Sequence, residues 1–193
     1  MQVIRVHDKT FEPYLSEKEI AQRISEVALQ LNRDYVGKRP LFIAILNGAF
    51  MFASDLFKQL EIDAEICFIK LASYKGIRST GHVVTAIGLD LDLFGRDVII
   101  IEDIVDTGKT LHHFLPKLLH QQPSSLKIVA LLHKPDAMIF PLQIDYLGFT
   151  IPNKFVVGYG LDYEDMYRNL PYLAALEPDD ITRHKAATAA RQV

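Results

Sequence analysis

Apolar and polar positions along this chain follow two alternating rhythms. Leu41 to Leu46, after Pro40, is an unbroken apolar run, and Ile66 to Leu71, Val98 to Ile101 and Leu126 to Leu132 are further runs of strand length. Runs of this kind read as strands buried on both faces. Between them the period switches. Ile20, Ile24, Val27 and Leu31 recur at helical intervals behind Ser16 and Glu19, which have capping-box spacing. Phe50 to Leu60 and the stretch after Lys109 also look helical. This alternation predicts an α/β fold, a mostly parallel sheet flanked by helices. Ligands in such sheets bind beyond the carboxyl ends of the strands. Ser73 to Gly88 breaks the rhythm, with Gly76, Gly81 and Gly88 among polar residues and little periodicity before Val83-Val84.

Bulk properties narrow the picture. At 193 residues the chain is long enough for one domain that buries most of its apolar surface, and no repeat or linker divides it. Its 49% hydrophobic and 23% charged content is that of an ordinary globular protein. A net charge of −3 argues against a broad nucleic-acid-binding face, though not against a local anion site built from backbone donors. The single cysteine, Cys67, sits in an apolar run and reads as a buried structural thiol. No apolar run approaches membrane-spanning length, and Met1 to Arg5 lacks a signal-peptide core, so a cytoplasmic location with no membrane partner is expected. Residues 178–193 are polar and alanine-rich; a frayed tail and a loosely docked helix fit them equally.

The chemistry concentrates in residues 98–111. The strand Val98 to Ile101 ends in two adjacent carboxylates, Glu102 and Asp103, and then comes Asp106-Thr107-Gly108-Lys109-Thr110. Gly108 lets the backbone approach an anion, the threonines add hydroxyl donors, and the following helix contributes aligned N–H groups. A Walker A loop is excluded by spacing: it needs a glycine five residues before Gly108, where Asp103 stands. No G-x-G-x-x-G follows any strand, which excludes a dinucleotide fold of that type.

Strand, two acids, two residues and D-T-G-K-T together resemble the phosphoribosyl-pyrophosphate signature of the type I phosphoribosyltransferases. Lys134, the run Phe155 to Tyr163, Tyr167 to Tyr172, Ser73-Tyr74 and Ser79-Thr80-Gly81 are similar to the hypoxanthine (hypoxanthine–guanine) branch from about residue 40 to residue 173. The resemblance implies a single domain over 1–177, with a core of about 16–150 and a small hood from 1–15 and 150–177. It implies transfer of phosphoribose from 5-phosphoribosyl-1-pyrophosphate (PRPP) to N9 of a 6-oxopurine, hypoxanthine and guanine, in purine salvage. It also implies Mg²⁺ as cofactor and a homodimer or homotetramer.

Site roles follow from the same resemblance. Glu102 and Asp103 hold the ribose hydroxyls directly or through magnesium, whose preference for hard oxygen suits them. Asp106 is the base that accepts the purine N7 proton, and Thr107, Gly108, Lys109 and Thr110 wrap the 5-phosphate. Leu46, Asn47 and Gly48 form the pyrophosphate loop, in which relatives have a cis bond between the first two residues and some carry lysine in place of Asn47. Ser73 and Tyr74 open the lid, which keeps water from a cationic transition state. Lys134 donates to purine O6, favouring 6-oxo over 6-amino bases because an ammonium is a donor only. Phe155 stacks on the base, Val156 reads its edge through backbone groups, and Ile104, Leu161 and Asp162 complete the purine pocket. Asp162 also stands near a second magnesium, and Arg168 contacts pyrophosphate. His112 and His113, adjacent on a helix, face different directions and are assigned to packing and surface.

A regulator of RNA or DNA that keeps this fold and binds only a nucleotide is the rival class. Asp106, a base that a purely binding protein does not need, and the lack of a basic stripe count against it. Preference between hypoxanthine and guanine rests on backbone carbonyls near Asp162, which side-chain identities do not encode.

Overall fold

Regular structure in the main layer starts where the capping box closes. Ser16 Oγ accepts from the Glu19 N–H at 3.2 Å, and the Glu19 carboxylate accepts from the Ser16 N–H at 2.8 Å. The helix that follows buries Ile20, Ile24, Val27, Ala28 and Leu31 along one stripe. The structure, a computed structural model, describes residues 3–6, 9–74, 83–87 and 91–177. In chain order its elements are β1 (Ile4–Val6), β2 (Lys9–Leu15), α1 (Glu17–Asp34), β3 (Leu41–Leu46), α2 (Phe50–Phe57), β4 (Glu65–Tyr74), β5 (Val83–Ile87), β6 (Asp97–Val105), α3 (Lys109–Leu119), β7 (Ser125–His133), β8 (Tyr146–Thr150), β9 (Val156–Val157) and β10 (Leu173–Leu176).

Two sheets result. The larger has order β5-β4-β3-β6-β7-β8, parallel throughout except for β5. Alternate residues of its central strands enter opposite cores. Phe42, Ala44, Ile99 and Ile101 meet α1 and α2, while Leu41, Ile43, Val98 and Ile100 meet Leu111, Phe114 and Leu118 of α3. Burial on both faces is why these strands read as apolar runs. The smaller sheet is antiparallel, in the order β1-β2-β10-β9, around Phe11, Val157, Ala174 and Leu176. Its β2–β10 register shifts between Leu173 and Ala174, opposite Pro13, a residue with no N–H to give to a ladder.

Several sequence expectations are adjusted. The strand expected over Ile66 to Leu71 extends to Tyr74, because β5 pairs with its end: Ser73 opposite Val84 and Tyr74 opposite Val83. The helix expected to reach Leu60 ends at Phe57. Ser79-Thr80-Gly81, most of the expected lid and the 178–193 tail lie outside the described residues. Cys67 is half-buried, and burial pushes its thiol above the usual range. Among the described residues no helix is long and apolar enough to cross a membrane.

Candidate active site

The end of β6 carries the first part of the site. Glu102 is buried, and both burial and the neighbouring Asp103 charge push its carboxyl well above the usual range. Asp103 is pushed up to about 6, chiefly by burial; the Ile104 N–H at 2.9 Å and the Arg168 charge offset this, and Asp162 adds to it. The two acids are therefore desolvated side by side, an arrangement that a cation or a pair of hydroxyl donors relieves.

Beyond Val105 the chain turns into the loop that leads to α3. Thr107 O accepts from the N–H groups of Ile139 and Phe140 at 3.1 and 3.0 Å. Gly108 sits at φ 75, and a Cβ there would lie 2.4 Å from Phe140 O, so only glycine fits. The Lys109 N–H is held by Thr107 Oγ1 at 3.3 Å, and α3 begins at Lys109 with its N-terminal amides aimed at the loop. Lys109 and Thr110 are exposed. Glu102, Ile104, Asp106 and Thr107 to Thr110 line a cavity of about 90 Å³, sized for a small anion.

Lys134, just past β7, is anchored by its N–H to Val105 O at 3.0 Å and is buried. Its Nζ stands 3.5 Å from Asp106 Oδ2, whose side chain remains 46% exposed. A buried donor and an open carboxylate thus face the same space at the mouth of the loop.

A second cluster meets Asp103 from the other side. The Leu46–Asn47 peptide after β3 is cis. Asn47 is exposed, whereas Gly48 lies so close to Asp103 that a Cβ would collide with Oδ2. The Gly48 carbonyl in turn touches Gly160, where a Cβ would come within 2.0 Å of it. Next to that contact Leu161 closes a tight turn with Gly158. Asp162 pairs with Arg168 at 2.6 Å, and Arg168 donates to Gly160 O at 2.8 Å. The strand end, the loop after β3 and the turn after β9 therefore converge on one carboxylate.

The predicted purine-side residues of the smaller sheet are placed differently. Val156 is buried in β9 opposite Ala175, and the Phe155 ring packs against Phe11 at 6.2 Å and edge-on to Tyr163 at 5.8 Å. Ser73 and Tyr74 end β4. His112 and His113 pack on Phe140, with His112 4.7 Å from its ring centroid. Two contributors carry no role in the sequence analysis, Phe140 and Gly160, the latter inside the Phe155 to Tyr163 run. The spacing Gly158-Tyr159-Gly160 was the available signal for Gly160.

Among the described residues no three His, Cys, Asp or Glu side chains converge on a point. Glu102 and Asp103 offer hard oxygen, which fits an ion that keeps its waters and shares substrate phosphates, as magnesium does. Asp162 pairs with Arg168, and its charge also acts on Asp103.

The profile of the phosphoribosyl transferase domain family matches residues 11–164. A hypoxanthine-guanine phosphoribosyltransferase of Lactococcus lactis is 45% identical over 89% of this chain and 94% of its own length. A bifunctional TilS/HprT protein of Listeria innocua is 40% identical over 90% of this chain, which spans 27% of that longer protein. Among solved structures, a hypoxanthine phosphoribosyltransferase of Staphylococcus aureus superposes with a TM-score of 0.81 at 41% identity, covering 87% of this chain and 92% of that one.

Proposed function

The chain belongs to the phosphoribosyl transferase domain family, and from that premise we propose that it is a purine salvage pentosyltransferase. It moves the 5-phosphoribosyl group from PRPP to N9 of hypoxanthine or guanine and releases pyrophosphate. The observation that carries this reading is the pairing of Lys134 with Asp106 across 3.5 Å at the mouth of the Thr107–Thr110 loop. A 6-oxopurine bearing a proton on N7 offers an acceptor to the first and a donor to the second. A 6-aminopurine offers a second donor to a group that only donates, which supports discrimination between the two classes.

The residues divide the work by position. Thr107 to Thr110, with the α3 amides, hold the 5-phosphate, and Glu102 and Asp103 hold the ribose hydroxyls. Leu46 to Gly48 and Arg168 receive the pyrophosphate, with backbone donors serving where Asn47 brings no charge. Asp106 takes the N7 proton as N9 attacks, while Lys134, Ile104, Val156, Leu161 and the Phe155 ring orient the base. Glu102 and Asp103, with Asp162 nearby, would hold magnesium together with the diphosphate, and it would neutralise charge on the leaving group. We expect a dimer or tetramer.

An assay with magnesium, PRPP and each of hypoxanthine, guanine, xanthine and adenine tests the reading. Turnover with hypoxanthine or guanine and not adenine is the expected outcome, and the two rates rank the bases. Turnover with adenine would remove the role given to Lys134. No turnover with any base, from a folded protein that binds PRPP, would replace the enzyme by a binding protein.

A further inference from the structure

Tyr159 joins the two sheets at a point the transfer chemistry above leaves unused. It lies in Gly158-Tyr159-Gly160, whose φ values are 97, 47 and 98. Glycine adopts such backbone freely, but tyrosine does so only where its surroundings over-determine it. Although its neighbours in sequence belong to the smaller sheet, its ring is buried in the core formed by α1, α2 and the large sheet. There its hydroxyl donates to Asp55 Oδ2 at 2.5 Å, across 104 residues of sequence. Asp55 sits on α2, the helix that starts directly after the Leu46–Ala49 loop, and Lys58 Nζ braces its other oxygen at 2.6 Å. Burial and the Asp55 carboxylate push the phenol above its usual value, so it stays a donor throughout the working range. The next residue, Gly160, rests on the Gly48 carbonyl, and Asp162, two residues beyond that, pairs with Arg168.

We propose that Tyr159, acting through Asp55, is a positioning residue that pins the Gly158–Asp162 turn onto the Leu46–Gly48 loop, so that loop and turn bind the pyrophosphate of PRPP as one rigid cradle. The inference rests on the phosphoribosyl-transfer reading and adds to it the coupling between the two sheets. A loop held only by its own backbone would lose ordering entropy on each binding event. The pin fixes its distance to Asp162 and Arg168 beforehand.

The test compares Tyr159→Phe, Asp55→Ala, Asp55→Asn and the double variant Tyr159→Phe/Asp55→Ala in the full chain. The readouts are kcat, KM for PRPP and for hypoxanthine, inhibition by magnesium pyrophosphate, and the thermal midpoint. Tyr159→Phe and Asp55→Ala should each weaken PRPP and pyrophosphate about tenfold, the size of one hydrogen bond to a charged acceptor. The double variant should be no worse than either single one. Asp55→Asn, which keeps an acceptor for the phenol, should restore most of the PRPP and pyrophosphate affinity. Unchanged PRPP and pyrophosphate constants, whatever the thermal midpoint does, would overturn the pin; so would PRPP constants in Asp55→Asn as weak as in Asp55→Ala. If Tyr159→Phe does not fold, Asp55→Ala against Asp55→Asn decides, and equal PRPP constants in those two overturn it. Wild-type protein silent with every base would sink the transfer reading and the pin together, whereas an active wild type with unaffected variants would sink the pin alone.

Discussion

The large sheet and the small one contribute to the same site by different physical means. The large sheet presents Glu102, Asp103 and the Thr107–Thr110 loop as the continuation of a strand buried on both faces. Their positions are set by apolar burial, the main driving force of folding. The small sheet has four short strands and a cluster centred on four buried residues, Phe11, Val157, Ala174 and Leu176. It places Asp162 and Arg168 by contact: glycine against carbonyl at Gly160 and a tyrosine hydroxyl against Asp55. One side of the site thus inherits its geometry from the core, and the other borrows it through a few close approaches. Damage should therefore register as lost stability in the first and as lost affinity in the second.

The largest effect should come from chemistry that neither kind of packing supplies. Asp106→Asn is expected to lower kcat by about 10²–10⁴-fold, the usual worth of a general base, with PRPP binding and the thermal midpoint little changed. Full turnover in that variant with chemistry rate-limiting would strip Asp106 of its role. Phe52→Ala, at a fully buried α2 position, sharpens the core side: it should cost about 3–5 kcal/mol and lower the thermal midpoint by roughly 10 °C. Calorimetry and steady-state kinetics on the fraction that remains folded should find both KM values unmoved, and a shifted KM would blur the distinction between the sheets. Gly160→Ala probes the other side. A methyl pressed against the Gly48 carbonyl should reduce kcat/KM for PRPP about 10²-fold, as small displacements of positioned groups do. The thermal midpoint should fall less than for Phe52→Ala; a larger fall would mean that the small sheet stabilises the molecule as the core does.

What was legible in the sequence follows the same division. The runs Leu41 to Leu46 and Val98 to Ile101 announced their strands because burial on both faces leaves no polar position to confuse the period. Ser16 and Glu19 announced α1 because a capping box is local. The acids and the Thr107–Thr110 loop were readable because they are contiguous. By contrast β2 mixes Lys9, Glu12 and Pro13 with apolar residues, and β9 spans only Val156–Val157. Neither carries a period, since what makes them strands is β10, far off in sequence from β2 and short itself. Antiparallel β5 was hidden in a glycine-bearing stretch for a similar reason. Phe155 was named for its place in a motif, and the motif is silent on the ring's contacts with Phe11 and Tyr163. The contact between Gly48 and Gly160 left no trace in residue type beyond two glycines.

The pairing of β2 with β10 sets Phe11 opposite Leu176, and this orders events during synthesis. A ribosome releases the N-terminus first, and domains organise as their residues emerge. Strands β3 to β8 and their helices have every partner within residues 17–150 once Thr150 has left the exit tunnel. Strand β2, made before any of them, must wait beside the growing core until Leu173–Leu176 arrives. Closing so long a loop is the slow kind of contact. A nascent chain stalled before residue 173 thus has its Thr107–Thr110 loop and not its completed small sheet.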